Sequence, residues 1–301
     1  MGLCFLIIYV TYRVIEDNNN PLAITQNFIY IEPLGSYYRS RHDFSKKIDY
    51  HDYEYVKREK ERFGLPGENG QPVYAEPDEE ASNKKLFDEN GYYGLISDKI
   101  ALNRSLPDFR RPECAKIEYA SDLPSVSIVI PFFNDHLSTL LRTVYSVINR
   151  APVHLLKEVI LVNDHSTKEF LYDELADHIK KHFKIVKLLV LPVRSGLIWA
   201  RLAGARAASG DILLFLDSHT EASTNYLPPL IEPIAKDYRT CVCPFVDVIT
   251  FANFEYKPQD NGARGVFDWQ LSYKKIPLRP SDQKSPWDLY ESPVMVRKRL
   301  S

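Results

Sequence analysis

The chain has 301 residues and a mass of 34.8 kDa, with 45% hydrophobic and 26% charged residues. This composition supports a sizeable core and excludes disorder, collagen and coiled coil. The 38 Lys and Arg residues against 40 Asp and Glu residues leave a net charge of -2 and a pI near 6.5. Because no charge excess is present to neutralise a phosphate polymer, we expect no nucleic-acid partner.

The apolar N-terminal run, residues 3–10, allows three interpretations. It is shorter than the roughly 20 apolar residues that span a bilayer, and charged residues follow from Arg13 onward. A signal peptide has a positively charged segment before its apolar run, but no Lys or Arg precedes this one. For residues 1–12 we therefore keep a short membrane anchor, a signal remnant and a plain apolar end as alternatives. Residues 13–123 show no sustained hydrophobic period and are predicted to be a stem and lead-in segment, with a solvated helix over residues 53–62.

Strands and helices alternate from residue 124 onward. A helix is predicted to begin at Asn134 and to stop at Pro152, another to follow a capping box of Ser166 and Glu169, and a third to follow a cap at Ser195. The predicted buried strands are 124–133, 159–162, 185–191 and 212–216. This order predicts βαβ units and therefore an α/β domain over residues 124–301, with a mostly parallel sheet and helices on both faces.

The segment that follows the fourth predicted strand carries the sharpest chemical signal. Asp217, Ser218 and His219 come at its end, and in an extended segment Asp217 and His219 point the same way. One carboxylate and one imidazole, with further positions open for phosphate oxygens, suit Mn²⁺ or Mg²⁺, and the imidazole favours Mn²⁺. The alternative is that Asp217 caps a turn and that His219 is an ordinary surface or core histidine.

Two more residues near strand ends carry side chains of the kinds that nucleotide-binding sites use. Asp164 follows the second strand, where a carboxylate accepts hydrogen bonds from a ribose or base, or else caps an Asx turn. Arg194 precedes the start of a helix, where its guanidinium and the backbone N–H groups face an anion, or else it is a surface arginine. Ligands of open parallel sheets lie beyond the carboxyl ends of the strands, so these positions predict one shared site.

Several motifs in this order and spacing resemble one family. The segments PSVSIVIPFFND, LLRTVYSVINRAP, KEVILVNDHS, RSGLIWARLAGARAASGDILLFLDSHTE and RGVFDWQL resemble the catalytic domain of the polypeptide N-acetylgalactosaminyltransferases, from about residue 67 to Met295. The resemblance implies a GT-A fold and a retaining, Mn²⁺-dependent glycosyltransferase that moves GalNAc from UDP-GalNAc to Ser or Thr hydroxyls of proteins, initiating mucin-type O-glycosylation. It also implies a type II protein of the Golgi membrane with its domain in the lumen.

Site residues follow from the resemblance by position. It implies that the metal and catalytic residues are Asp217 and His219, and that the donor contacts are Pro131, Asp164, Arg194 and Ser218. The residues next to these positions differ from the family pattern. The chain has Phe133-Asn134-Asp135 where the family has His-Asn-Glu, Asn163-Asp164 where it has Asp-Asp, and Arg194-Ser195-Gly196 where it has Arg-Glu-Gly. These differences leave the donor affinity open.

After Met295 the sequence departs from the family. The family continues with a Gly-rich segment, a Trp-containing motif, a third metal-binding His, a disulfide partner for the residue at Cys114, and a lectin domain, whereas these 301 residues end in VRKRLS. We therefore expect these residues alone to transfer GalNAc feebly or not at all. The alternative function is a catalytically inert nucleotide-sugar-binding or partner-binding fragment. A processive or inverting glycosyltransferase is disfavoured, because those show D-x-D where this chain has Asp217-Ser218-His219.

Overall fold

The computed structural model describes residues 8–9, 44–110, 112–238, 240–244, 246–258, 263–270, 272–277 and 294–295. The helices are α1 (Tyr53–Glu61), α2 (Glu80–Asn90), α3 (Gly94–Lys99), α4 (Leu137–Asn149), α5 (Asp173–His182), α6 (Leu197–Ala207) and α7 (Leu227–Lys236). The strands are β1 (Ile8–Tyr9), β2 (Lys47–Ile48), β3 (Tyr119–Ala120), β4 (Val126–Phe132), β5 (Leu156–Asn163), β6 (Val186–Val190), β7 (Ile212–Phe215), β8 (Val242–Cys243), β9 (Val248–Ile249), β10 (Tyr256–Lys257), β11 (Ala263–Phe267), β12 (Tyr273–Pro277) and β13 (Val294–Met295).

A five-stranded sheet in the order β1-β7-β4-β5-β6 organises the domain. Strands β7, β4, β5 and β6 are parallel, with Ile128 of β4 aligned with Val159 of β5 and Leu214 of β7. Helices α4, α5 and α6 connect these strands in turn, so the predicted α/β domain with its mostly parallel sheet is confirmed. The chain leaves β4 on the side of β5 and returns on its other side with β7, so the strand order reverses between β4 and β7.

Helices cover both faces of the sheet, as predicted. Side chains along β4 alternate, so Ile128 packs in the larger core with residues of α4, α5 and α7, while Val129 packs in a second core with Ala200 of α6. Helix α6 lies very close to the sheet at Gly204. A Cβ there would overlap Val129 Cγ1 and lie 3.0 Å from Val162 Cγ2. The absence of a side chain at Gly204 therefore allows α6 to pack at this distance.

The loops after β4 and β5 contradict two predicted helix starts. Helix α4 begins beyond Asn134, whose φ is 52° and whose side-chain Oδ1 accepts a hydrogen bond from the Thr167 backbone N–H at 2.7 Å. Ser166 Oγ accepts from the Asn134 backbone N–H at 2.9 Å, and α5 begins after the 3-10 turn that contains Glu169, so no capping box forms. Both predictions were wrong because these side chains bond across the two loops instead of capping their own helices.

The predicted lead-in segment packs onto the sheet domain over its described part, residues 44–110 and 112–123. Glu59 of α1 is 4% exposed and accepts a hydrogen bond from Arg150 at 2.6 Å, so the helix predicted to be solvated has one buried charged residue. Arg104 donates two hydrogen bonds to Glu221, at 2.9 and 2.8 Å. Apolar residues of the segment, among them Tyr50 and Leu123, also pack in the larger core. Hydrophobic periodicity gave no sign of the two buried ion pairs, because they join charged residues.

Residues 1–12 lie outside the described segments except for Ile8 and Tyr9. These two residues pair antiparallel with Leu214 and Leu213 of β7 at the edge of the sheet. None of the helices in the described segments combines the length and the apolar character needed to cross a bilayer. The prediction of an anchor at residues 3–10 concerns residues that otherwise lie outside the described part of the chain.

Candidate functional site

The strand order reverses between β4 and β7, and we call the carboxyl edge of the sheet at this point the crevice. The Leu216 N–H donates to the Val129 carbonyl at 3.0 Å, and the aligned pairs of the two strands end at Val129 and Phe215. Strand β4 continues beside β5 to Phe132, three residues beyond its last aligned pair with β7. A point where the strand order reverses is the usual ligand position in an open α/β sheet.

The D-x-H turn (residues 217–219) lines one side of this crevice. Strand β7 ends at Phe215, and Thr220 Oγ1 donates to the Asp217 carbonyl at 3.0 Å, which closes a turn. The expectation that Asp217 and His219 share a direction because they lie in an extended strand is therefore wrong in its premise. The turn instead directs Asp217 towards Arg201 and His219 towards Asp135.

The two side chains of the turn have different protein neighbours. Asp217 Oδ1 lies 3.3 Å from Arg201 Nη2 on α6, and the Asp217 side chain is 18% exposed. His219 Nδ1 lies 3.8 Å from Asp135 Oδ2, just beyond β4, and the His219 side chain is 43% exposed. The turn thus connects the helix on one side of the crevice with the loop on the other, and its imidazole remains accessible.

Asp135 is a buried carboxylate behind the D-x-H turn, with 8% of its surface exposed. Tyr92 OH donates to Oδ1, Ser218 Oγ donates to Oδ2, and the His136 backbone N–H donates to Oδ1 at 2.9 Å. Burial by itself raises the pKa of this carboxyl, but the nearby His219 imidazole and the hydrogen bonds from Ser218 and Tyr92 outweigh it and lower the pKa below its ordinary value. Asp135 is therefore an anion in contact with the turn.

Asp164 lies at the end of β5 and holds the start of α6. Its carboxylate is 2% exposed and accepts hydrogen bonds from the backbone N–H groups of Ser195 at 2.7 Å and Gly196 at 2.8 Å. Arg194 Nη1 forms an ion pair with Oδ2 of the same carboxylate. The predicted cap by Ser195 is wrong, because its hydroxyl donates to the Val193 carbonyl and the cap comes from Asp164 instead. Both oxygens of Asp164 have protein partners at the start of α6, and its contact with a donor stays a prediction.

Arg194 supplies positive charge at the carboxyl edge of the sheet. Its guanidinium carbon lies 3.9 Å from the centre of the Phe133 ring, a cation–π contact that adds to the ion pair with Asp164. The Arg194 side chain is nevertheless 47% exposed. A guanidinium fixed on one side and open to solvent on the other can meet an anionic ligand without reorganising.

Pro131 and Ser218, the two other predicted donor contacts, are both buried. The Val129 carbonyl accepts from Leu216, which follows β7, and this is the last hydrogen bond between the two segments. The backbone of Pro131, two residues further along β4, is directed to the same side. Because Pro131 lies beyond that last bond, its missing N–H breaks no pairing between the strands. The Ser218 hydroxyl donates to Asp135 and its carbonyl accepts from Thr143 Oγ1 at 2.9 Å. The structure brings both residues to the crevice, and their contacts with a donor stay predictions.

Sequence reasoning missed Tyr92 and Arg201 as parts of the site. Tyr92 comes from the lead-in segment, where no motif marks it. Arg201 had a usable signal, because it lies three residues from Gly204 on α6, and Gly204 faces the sheet. Asp135 was noted as a departure from the family pattern, and its place directly after β4 was the sign that it belongs to the crevice.

A model of glycosyl transferase family 2 matches residues 127–300 of the chain, which is more than half of its length. The chain therefore belongs to glycosyl transferase family 2. The matched region contains the parallel sheet, the D-x-H turn and the Asp164–Arg194 pair described above.

Relatives narrow this class to the family suggested by the motifs. The chain is 51% identical over 255 residues to N-acetylgalactosaminyltransferase 6 of Drosophila melanogaster, which covers 84% of the chain and 38% of that protein. It is 46% identical over 269 residues to human polypeptide N-acetylgalactosaminyltransferase 10, covering 87% and 44%. A crystal structure of GalNAc-T7 with UDP, GalNAc and Mn²⁺ superposes with a TM-score of 0.73 at 35% identity, covering 81% and 46%. These matches confirm the resemblance to the catalytic domain and the GT-A fold, and the chain spans less than half the length of these relatives.

The donor atoms of the D-x-H turn agree in type with a Mn²⁺ site. Asp217 supplies a carboxylate and His219 an imidazole, and the neighbour GalNAc-T7 was crystallised with this ion. In the described part of the chain, no three His, Cys, Asp or Glu side chains form a group that could hold a metal. Asp217 and His219 fit Mn²⁺ by donor type, and their assignment as its ligands stays a prediction.

Proposed function

We propose that this domain binds UDP-GalNAc in the crevice between β4 and β7 and transfers GalNAc to Ser or Thr hydroxyls of proteins. The observation that carries the proposal is the position of the D-x-H turn at the reversal of strand order, in a chain 46–51% identical to named N-acetylgalactosaminyltransferases. The complex of GalNAc-T7 with UDP and GalNAc supports a nucleotide-sugar donor. The same similarity favours transfer over the alternative of an inert binding fragment.

The proposal assigns Mn²⁺ to Asp217 and His219. When bound, the ion would neutralise negative charge on the diphosphate leaving group. Arg201 Nη2 lies 3.3 Å from Asp217 Oδ1 and balances the charge of that carboxylate. The exposed side of the Arg194 guanidinium adds positive charge near the start of α6. The protein residues thus contribute position and electrostatics.

Calorimetry with UDP and Mn²⁺ tests the binding half of this proposal. The wild type is expected to bind UDP more tightly with Mn²⁺ than without it. Asp217→Ala is expected to lose tenfold or more of that Mn²⁺-dependent affinity, whereas Asp177→Ala, on the exposed face of α5, is a matched control that keeps it. Equal affinity in the wild type and Asp217→Ala would refute the metal assignment. Transfer of labelled GalNAc to a mixed Thr and Ser peptide library tests the second half.

For the cellular site we propose the lumen of the Golgi, with membrane attachment near residues 3–10. The family resemblance and the N-x-S sequon at Asn103 support this proposal. Asn103 is exposed, while the Ser105 hydroxyl is buried and donates to Glu68, so a glycan would be added before the segment folds. In secretory cells, glycosidase digestion is expected to shift the wild type and not Asn103→Gln. Unshifted cytosolic protein would contradict the proposal.

A further inference from the structure

A carboxylate of the β4 loop faces one ring nitrogen of the histidine in the D-x-H turn. Asp135 Oδ2 lies 3.8 Å from His219 Nδ1, and Asp135 is 8% exposed whereas the His219 side chain is 43% exposed. One edge of the imidazole is therefore directed towards a buried anion, while the ring as a whole remains accessible from the crevice.

The surroundings of Asp135 fix where that carboxylate lies. Tyr92 OH and the His136 backbone N–H both donate to Oδ1, so this oxygen is held from two directions. Oδ2 accepts from Ser218, the residue that precedes His219, and is the oxygen nearest to the imidazole. A neutral acceptor would satisfy the Tyr92 and Ser218 hydroxyls equally well. The charge of the carboxylate has a distinct consequence for the ring that faces it.

We propose that Asp135 is a positioning residue that holds the His219 proton on Nδ1 and thereby presents Nε2 to a divalent cation. A carboxylate near one imidazole nitrogen selects the tautomer protonated there and fixes the ring orientation, which raises the basicity of the other nitrogen. The identity of the cation, Mn²⁺, rests on the proposed function. The proposed tautomer and ring orientation do not rest on that function, because they are argued from the position of Asp135 beside His219.

Nitrogen NMR of metal-free protein labelled with ¹⁵N-histidine tests the tautomer directly. The chain has 8 histidines, and His219→Gln assigns the His219 signals by their loss. The wild type is expected to show the Nδ1–H form of His219, and Asp135→Asn is expected to shift the ring towards the Nε2–H form that free imidazole side chains favour. Asp98→Asn is the matched control, because Asp98 faces a different imidazole, that of His136, at 2.9 Å. It should alter His136 and leave His219 unchanged.

Binding of Mn²⁺ in the presence of UDP, followed by the electron paramagnetic resonance of the free ion, is the second measurement. Asp135→Asn is expected to weaken Mn²⁺ binding 10- to 100-fold, the usual effect of removing such a partner. Asp135→Glu, which keeps the charge, should restore much of it, and Asp98→Asn should match the wild type. Circular dichroism of each variant establishes that it is folded before the comparison.

The two measurements separate this proposal from the proposed function. If the wild type binds no Mn²⁺ with UDP, the proposed function fails, and the tautomer of His219 alone decides the role of Asp135. An Nε2–H wild type, or an Asp135→Asn variant with unchanged tautomer, would overturn the positioning role. Unchanged Mn²⁺ affinity in Asp135→Asn would overturn it as well.

Discussion

Removing the charge of Glu221 is expected to cost about 3–5 kcal/mol of unfolding free energy. The Arg104 and Glu221 side chains are 0% and 4% exposed, and two hydrogen bonds of 2.9 and 2.8 Å join them. Arg104 also donates to the Phe254 carbonyl at 2.8 Å. Glu221→Gln keeps the shape of the side chain but leaves the buried guanidinium without a counter-charge, and burial prevents solvent from compensating it.

An exposed ion pair gives the scale for comparison. Lys236 lies 2.7 Å from Glu232, and the Lys236 side chain is 49% exposed, so Lys236→Gln is expected to cost less than about 1 kcal/mol. With a urea m value of about 3 kcal/mol per molar for a domain of this size, Glu221→Gln should lower the unfolding midpoint by about 1–1.7 M. The same arithmetic gives less than about 0.3 M for the control.

Urea unfolding followed by circular dichroism measures these midpoints. The m value should stay constant, so that the midpoint reports stability alone. The double variant Arg104→Met/Glu221→Leu should recover most of the loss, because an apolar pair of similar volume replaces a buried ion pair at little cost. A midpoint for Glu221→Gln within the range of the Lys236→Gln control would refute the reasoning that this pair is buried and uncompensated after substitution.

Two further substitutions test packing and charge elsewhere in the sheet domain. Gly204→Ala should cost about 1–3 kcal/mol of unfolding free energy and lower the melting temperature, because the new Cβ overlaps Val129. Helix propensity alone predicts the opposite, a gain of up to about 1 kcal/mol. A higher melting temperature would therefore contradict the close packing at Gly204. Burial raises the pKa of Glu158, but hydrogen bonds from Lys187 and Ser209 outweigh it and lower the pKa to about 2. Its stabilising effect is therefore complete above the unfolded pKa near 4.5 and is lost as the pH falls towards 2. Since Lys187 is 60% exposed, we expect the Glu158 charge to contribute about 2 kcal/mol to the unfolding free energy. The difference in unfolding free energy between the wild type and Glu158→Gln should therefore be larger at pH 6 than at pH 3. An equal difference at both pH values would exclude the charge as its cause.

The sequence by itself determined the sheet domain and the region of the site. Buried strands and amphipathic helices are local patterns, because side-chain direction repeats every two residues in a strand and every 3.6 in a helix. Their alternation was enough to predict a parallel sheet with helices on both faces. The carboxyl ends of its strands then selected Asp164, Arg194 and the D-x-H turn, and the structure places all of them at that edge.

Only the tertiary structure decided which partner each polar side chain takes. Ser166 and Ser195 were predicted as local caps, yet Ser166 bonds to the Asn134 loop and Asp164 supplies the hydrogen bonds at the start of α6. The contacts of Asp135 with Ser218 and of Arg104 with Glu221 span 83 and 117 residues of chain. A short polar side chain can satisfy a backbone group nearby or any donor brought close by folding, and which one is within reach depends on how the distant segments pack.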